Sequence, residues 1–188
     1  MVLTDIVRRL DAATTVLIDG RSGSGKSTLA THLRDAWAGS VVVRLDGIYP
    51  GWDGLRWATD HVQRSLLAPR AAGEAGLWRS WDWAGECPGD WHRVECGQRL
   101  IVEGTGALTP AGRELADLAI WVDADHAVRK YRALRRDGDL YRPHWDRWAA
   151  QEEEFVARYR PKESADLIAV ATPTGFEFTA SPASRRTS

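Results

Sequence analysis

The stretch that decides the fold runs from residue 20 to residue 28 and reads Gly-Arg-Ser-Gly-Ser-Gly-Lys-Ser-Thr. It matches the pattern G-x-x-x-x-G-K-[ST], in which a glycine-rich loop precedes a lysine and a hydroxyl residue. The run before it, 15–19, is short, apolar and rich in β-branched residues, which predicts a buried strand. After it, Leu29, Leu33 and Trp37 recur at a spacing of four, which predicts a helix.

A loop of this composition between a strand and a helix has the chemistry of a phosphate-binding site. Small residues let the backbone curl with its N–H groups inward, and the helix N-terminus adds partial positive charge. The Lys26 ammonium can contact the β- and γ-phosphates of ATP, and the Ser27 hydroxyl can ligate Mg²⁺. The competing interpretation is a glycine-serine turn that matches by chance. The predicted nucleotide contacts from this stretch are Gly20, Ser22, Gly23, Ser24, Gly25, Lys26, Ser27 and Thr28.

The composition narrows the class of protein. The 188 residues suffice for one domain with a full core, and 44% hydrophobic with 27% charged residues is ordinary for a globular protein. A net charge of −1 creates no field that would recruit nucleic acid or an anionic membrane. Cys87 and Cys96 lack the spacing of a zinc site or a disulfide framework. We therefore expect a cytoplasmic enzyme without nucleic-acid or membrane partners, and leave its oligomeric state open.

Apolar runs of strand type alternate with helical patterns along the chain, which predicts a parallel sheet with helices on both faces. Besides 15–19, the predicted strands are 41–45, 99–103, 118–122 and 166–170. The fold class is therefore α/β, three-layered, with five parallel strands. We expect one domain over residues 1–178 and a flexible tail over 179–188, which is rich in Ser, Thr and Pro.

Acidic residues follow two of the predicted strands, at the sheet edge where ligands of α/β proteins bind. Asp46 could take a proton from an acceptor hydroxyl or hold Mg²⁺ through water, and the alternative is a turn cap. Glu103 lies where proteins with this loop hold the Mg²⁺ shell, although aspartate is more usual there. Asp123 is a competing candidate, but we favour a helix N-cap for it.

A predicted helix over residues 125–136 is rich in arginine. Arg129, Arg132 and Arg136 fall on one helix face, whereas Arg135 points elsewhere. A row of guanidinium groups suits a phosphoryl group in transfer, which it can bridge bidentately. The alternative is a solvated face.

Six tryptophans fall between Trp52 and Trp91, which is an unusual density. Aromatic residues alternate on both sides of a Gly/Pro turn, which predicts a hairpin or flap over about 77–95. These rings could stack on a planar substrate such as a nucleobase. For any single tryptophan, however, we favour a place in a satellite core.

Five stretches, in this order, resemble the uridine kinase group of the P-loop nucleoside kinases: 18–27, 46–49, 81–83, 102–104 and 122–137. The resemblance implies a P-loop NTPase fold with a helical lid over about 129–146. It also implies that Asp46 is the catalytic acid near the acceptor and that Ser27 and Glu103 serve Mg²⁺.

The same resemblance assigns the remaining site residues. Arg129 would contact the nucleotide from the lid, and Arg132 and Arg136 would join Lys26 in stabilising the transferring phosphoryl group. The residues implied to face the acceptor are Tyr49, Asp82 and Trp83. The part of the chain that would face the acceptor is rich in Trp, where uridine kinases have Tyr, His and charged residues. The identity of the acceptor therefore stays open.

The sequence thus favours an ATP-dependent kinase of a small hydroxyl-bearing molecule, with a nucleoside as one candidate. The alternatives are a kinase of a sugar, a vitamin precursor or an antibiotic, and a nucleotide-binding protein without such activity. The last is disfavoured because the chain has neither the N-K-x-D segment of guanine-reading switches nor an L-S-G-G-Q signature.

Overall fold

The computed structural model describes residues 1–182, apart from the side chain of Asp137. Its strands are β1 (Thr15–Asp19), β2 (Val41–Arg44), β3 (Gly76–Asp82), β4 (Cys87–Val94), β5 (Leu100–Glu103), β6 (Leu118–Asp123), β7 (Leu167–Thr172) and β8 (Gly175–Ala180). Its α-helices are α1 (Leu3–Arg9), α2 (Lys26–Ala36), α3 (Leu55–His61), α4 (Ala68–Ala71), α5 (Pro110–Glu114), α6 (His126–Tyr141), α7 (Trp145–Tyr159) and α8 (Pro161–Ser164). None of the helices within the described residues is long and apolar enough to cross a bilayer.

The main sheet has six strands in the order β2-β5-β1-β6-β7-β8. The first five are parallel, as the sequence predicts, and β8 pairs antiparallel with β7. The predicted tail at 179–188 is therefore wrong at its start, because Thr179 and Ala180 belong to β8. Phe178 on the same strand is 2% exposed, and burying it holds the strand on the sheet. Residues 183–188 lie outside the described part of the chain.

Helices cover both faces of this sheet, which gives the three layers. Along β1, Val16 and Ile18 pack on one face with α1 and α2, whereas Leu17 packs on the other. That second face is covered by α7 and by the helical segment 55–71. The central strands are buried on both sides, so they are apolar throughout rather than alternating with polar residues.

Strands β3 and β4 form a separate two-stranded antiparallel hairpin, close to the flap predicted at 77–95. The helical segment before it runs to Ala71 and so continues past Pro69, although proline usually ends a helix. A π-helical turn at 62–67 precedes this proline. A widened turn of this kind accommodates a residue without an N–H donor, so the helix is not ended.

Helix α6 begins at a side-chain cap, where the Asp125 carboxylate accepts from the N–H groups of Ala127 (2.8 Å) and Val128 (3.3 Å). Asp125, rather than Asp123, is thus the N-cap. Asp123 instead accepts from Nζ of Lys162 at 2.6 Å. The helix is interrupted at Gly138, whose φ is 55°, a value that glycine adopts without strain.

Candidate active site

The glycine-rich loop leaves β1 and enters α2 with its backbone in conformations that need glycine. Gly23 and Gly25 have φ of 78° and 107°. A methyl group at Gly23 would overlap the backbone of Arg129 on α6, so this position also needs the small residue for space. The loop is therefore both curled and closely packed under the helix that crosses it.

A buried carboxylate holds the base of the loop. Asp19, at the end of β1, accepts from the backbone N–H groups of Gly20 (2.6 Å), Gly106 (3.2 Å) and Leu108 (2.8 Å). Burial raises its pKa to about 7, against the opposing effect of these N–H groups and of Lys26. Asp19 therefore ties the loop to the segment that follows β5, a role that the sequence analysis missed.

The lysine of the loop points into the protein rather than into solvent. Its side chain is largely buried, and Nζ donates to the carbonyl of Arg21 (3.2 Å) and to Oγ1 of Thr105 (3.4 Å). Thr105 in turn donates to the carbonyl of Gly20 at 3.1 Å. Thr105 thus helps to place both the lysine and the loop backbone, although no motif singles it out.

A cavity of about 160 Å³ lies over the loop, and we call it the phosphate cavity. Positive charge converges on it from Lys26 and from Arg132 and Arg136 of α6, and Asp46 reaches it from the end of β2. Such a cluster of cations and loop N–H groups suits the phosphates of a nucleotide. Its lining residues are Ser22, Gly23, Gly25, Lys26, Ser27, Thr28, Asp46, Thr105, Arg132, Ala133 and Arg136.

Two predicted nucleotide contacts of the loop do not line this cavity. Gly20 lies behind it, where a methyl group would overlap the carbonyl of Val122. Ser24 is fully buried, and its hydroxyl has no hydrogen-bond partner among the described residues. Both residues therefore support the loop backbone and do not face the cavity.

The two residues predicted to hold Mg²⁺ are neighbours, but only Ser27 lines the phosphate cavity, and Glu103 lies buried behind it. The Ser27 side chain hydrogen-bonds to the carboxylate of Glu103, which is 2% exposed. Burial raises the pKa of Glu103, and the nearby Asp46 charge raises it further, whereas Lys26 lowers it. Oε1 of Glu103 lies 3.2 Å from Nε of Arg44 but receives no hydrogen bond from the described residues. A buried, incompletely paired oxygen beside a hydroxyl is a donor set that fits Mg²⁺.

A second cavity, of about 980 Å³, adjoins the first, and we call it the aromatic cavity. Ser22, Asp46 and Arg136 line both cavities. The remaining lining residues are Tyr49, Trp52, Trp83, Ala84, Leu140, Tyr141, His144 and Trp148. Three of the ten tryptophans thus converge on one cavity beside the loop: Trp52 from the segment after β2, Trp83 from the hairpin and Trp148 from α7.

Trp52 is the centre of the aromatic wall. Its ring is stacked on His144 with centroids 4.3 Å apart and on Tyr141 at 5.5 Å, and Trp83 lies tilted at 5.1 Å. Nε2 of Gln151 donates to the Trp52 carbonyl at 2.6 Å, which fixes this segment to α7. The flap is joined to the same site, because Nε1 of Trp83 donates to the carbonyl of Asp46 at 2.8 Å.

Two solved structures share this fold over most of the chain. One, described as a possible uridine kinase from Bacillus stearothermophilus, covers 88% of this chain and 96% of its own, with a TM-score of 0.57 and 17% identity. The other, described as a fructose transport system kinase from Silicibacter sp. TM1040, covers 88% of this chain and 95% of its own, with a TM-score of 0.51 and 21% identity. The chain therefore shares the three-layer α/β fold of these two structures. No protein-family model matches the sequence, and no curated protein matches it.

Within this fold, Arg129 lies in a different place from the one expected. Its side chain is buried, and NH1 donates to the carbonyl of Ser22 at 3.2 Å and lies 3.9 Å from Oε2 of Glu152. Burial lowers the pKa of the guanidinium. Arg129 therefore fastens α6 to the loop and does not line the phosphate cavity, because its position on the helix directs it into the protein.

Glu152 on α7 is the main residue that the sequence analysis missed. It is 1% exposed, and Oε1 accepts from the backbone N–H of Ser22 (2.7 Å) and from Nε1 of Trp148 (3.1 Å). Oε2 accepts from Nε of Arg21 at 3.2 Å. The sequence signal for this role was that Glu152 lies four residues after Trp148, on the apolar face of the helix, where a carboxylate is unusual.

The residues expected to face the acceptor have three different environments. Trp83 lines the aromatic cavity. Tyr49 also lines it but is 2% exposed, and its hydroxyl donates to the carbonyl of Thr105 at 2.7 Å. Burial raises the pKa of Tyr49 well above its ordinary value, so the phenol stays protonated. Asp82 does not line the cavity: its carboxylate accepts from the N–H groups of Ala84 (2.9 Å) and Gly85 (3.1 Å) and so caps the turn of the hairpin.

Proposed function

We propose that this protein transfers the γ-phosphoryl group of ATP to a hydroxyl group of a small molecule. One observation carries the proposal: the phosphate cavity and the aromatic cavity adjoin, and Asp46 and Arg136 line both. A nucleotide held by the loop and an acceptor in the aromatic cavity would therefore meet at these two side chains. The kinase descriptions of the two fold neighbours support the same reaction class.

In this reaction the acceptor oxygen forms a bond to the γ-phosphorus while the bond from that phosphorus to the leaving ADP oxygen breaks. The Asp46 carboxylate would accept the proton of the acceptor hydroxyl. Lys26, Arg132 and Arg136 would stabilise the negative charge on the phosphoryl oxygens, since all three line the phosphate cavity. A positioned base of this kind contributes about 10²–10⁴-fold to a rate.

Ser27 and Glu103 would hold Mg²⁺, for which their oxygen atoms are suitable donors. When bound, the ion neutralises charge on the β- and γ-phosphates. Helix α6 would act as a lid, and its closed position over the loop would limit hydrolysis by water. The acceptor is a small molecule with at least one hydroxyl, and a nucleoside is one compound of this class.

The test is ADP release from Mg·ATP, measured with a panel of nucleosides, sugars, vitamin precursors and hydroxyl-bearing antibiotics. Lys26→Ala should abolish stimulated release. Lys162→Ala is the matched control, because Lys162 is half-exposed and pairs with Asp123 outside both cavities. The proposal is supported if one acceptor class stimulates ADP release by the wild type and by Lys162→Ala but not by Lys26→Ala. ATP binding without stimulation by any class would contradict it.

A further inference from the structure

We propose that the acceptor has a planar, weakly polar ring as its body, and that the aromatic cavity selects such compounds over polyhydroxylated sugars. This inference rests on the proposed function and narrows its substrate class. It concerns only the occupant of the aromatic cavity.

The wall of the cavity consists mainly of rings. Six of its eleven lining residues are aromatic, and they come from the segment after β2, the hairpin, the end of α6 and α7. The Trp52 and Trp83 rings lie tilted at 57° with centroids 5.1 Å apart, so that they form a continuous surface next to Asp46. Aromatic pairs favour offset-stacked and edge-to-face arrangements, both of which a planar ligand ring can adopt here.

Three polar atoms of this wall already have partners inside the protein. The Tyr49 hydroxyl donates to Thr105, the Trp148 indole to Glu152, and the Trp83 indole to the Asp46 carbonyl. The Tyr141 phenol also faces this cavity, and burial raises its pKa. A sugar hydroxyl against these groups would lose water without gaining an equal partner, which costs roughly five- to a hundredfold in affinity for each such group.

Charge is confined to one end of the cavity. Asp46 and Arg136 are its charged lining residues, and both also line the phosphate cavity. One hydroxyl of the acceptor can therefore be bound at the end where transfer would occur, while the rest of the molecule lies among rings.

The experiment measures binding without turnover, by saturation-transfer NMR on the full chain with Mg·ADP. The probes are naphthalenemethanol, fructose and uridine, of which the first two have equal numbers of non-hydrogen atoms. We expect naphthalenemethanol to bind at least about tenfold more tightly than fructose, and more tightly than uridine. Tighter binding of fructose or uridine would overturn the inference.

The matched variants are Trp83→Ala and Trp91→Ala. Both tryptophans belong to the flap and are exposed, at 39% and 58%, but only Trp83 lines the aromatic cavity. Trp83→Ala should weaken naphthalenemethanol binding about tenfold, as loss of one stacking partner does. Trp83→Phe should restore part of it, and Trp91→Ala should leave it within about twofold.

An equal loss in the two alanine variants would overturn the inference, because binding would then be unspecific to the cavity. The proposed function and this inference can fail separately. If naphthalenemethanol binds as expected but ADP release shows no stimulation by any hydroxyl compound, the cavity inference about ring binding stands and the kinase proposal falls. If a sugar alone stimulates ADP release, the kinase proposal stands and this inference falls.

Discussion

Replacing Glu152 with alanine should destabilise the protein by about 3–5 kcal/mol, the range for breaking a buried ion pair by removing one partner. The carboxylate is 1% exposed and accepts hydrogen bonds from Ser22, Trp148 and Arg21. Its removal leaves Arg129, which is 5% exposed and lies 3.9 Å away, without this counter-charge. The loop amide of Ser22 would lose its acceptor in the same step.

Urea unfolding at neutral pH measures this loss directly. In a chain of 188 residues it corresponds to a fall in Tm of roughly 6–20 °C. Glu153→Ala is the matched control: Glu153 is the next residue on α7 and also pairs with Arg21, at 3.3 Å, but its side chain is 72% exposed. Its loss should change the free energy of unfolding by less than about 1 kcal/mol.

The conservative variant Glu152→Gln separates folding from loop positioning. Glutamine keeps the volume and one acceptor oxygen for Ser22, but its NH₂ group would face the guanidinium groups of Arg21 and Arg129. We expect Glu152→Gln to fold and to show a smaller rise in Tm on addition of Mg·ATP than the wild type does. Equal unfolding free energies for Glu152→Ala and Glu153→Ala would refute the role of Glu152, and so would an unchanged Mg·ATP shift in Glu152→Gln.

Three further predictions follow from the loop and the lid. Arg132→Ala should slow phosphoryl transfer at least about tenfold, because Arg132 lines the phosphate cavity. Arg135→Ala is the control and should leave the rate unchanged, because its guanidinium lies outside this cavity, 3.5 Å from the Tyr131 hydroxyl. Equal rates in the two variants would contradict the assignment. Gly23→Ala should lose Mg·ATP binding in calorimetry, since a methyl group there overlaps α6; unchanged affinity would show that the loop tolerates displacement. Because burial raises the pKa of Asp19 from 3.8 to about 7, its contribution to stability is full below about pH 4 and is lost as pH rises through about 7. The unfolding free energy of the wild type relative to Asp19→Asn should therefore fall between about pH 4.5 and pH 7.5; a rise would mean that its three N–H donors keep Asp19 ionised.

Much of the fold could be predicted because its signals are local. The buried strands of the parallel sheet are short apolar runs, and the loop motif fixes the connection between β1 and α2. Strand β8 was missed although Phe176 and Phe178 alternate with Glu177 and Thr179 as in a half-buried strand; its place in the sheet is set by its antiparallel pairing with β7. The continuation of the helical segment past Pro69 could not be predicted, because proline usually ends a helix and the π-helical turn before it has no sequence signature.

Residues that line the phosphate cavity could be found from the sequence more easily than residues that support another side chain. Lys26, Asp46, Arg132 and Arg136 all line the phosphate cavity, as the motif and the helix face predict. The role of Glu152 could not be assigned, because the loop residues that it holds, Arg21 and Ser22, lie more than a hundred positions away in the sequence. Their contact depends on how α7 packs against the loop, which no local pattern encodes.

The most direct test of the central claim is Asp46→Asn, measured for both Mg·ATP binding and phosphoryl transfer to whichever acceptor stimulates ADP release. Asp46 lines both cavities, so the claim that they form one active site depends on it. We predict that the variant binds Mg·ATP within about twofold of the wild type and transfers the phosphoryl group about 10²–10⁴-fold more slowly. Transfer at the wild-type rate would contradict the account, because Asp46 would then have no part in the reaction.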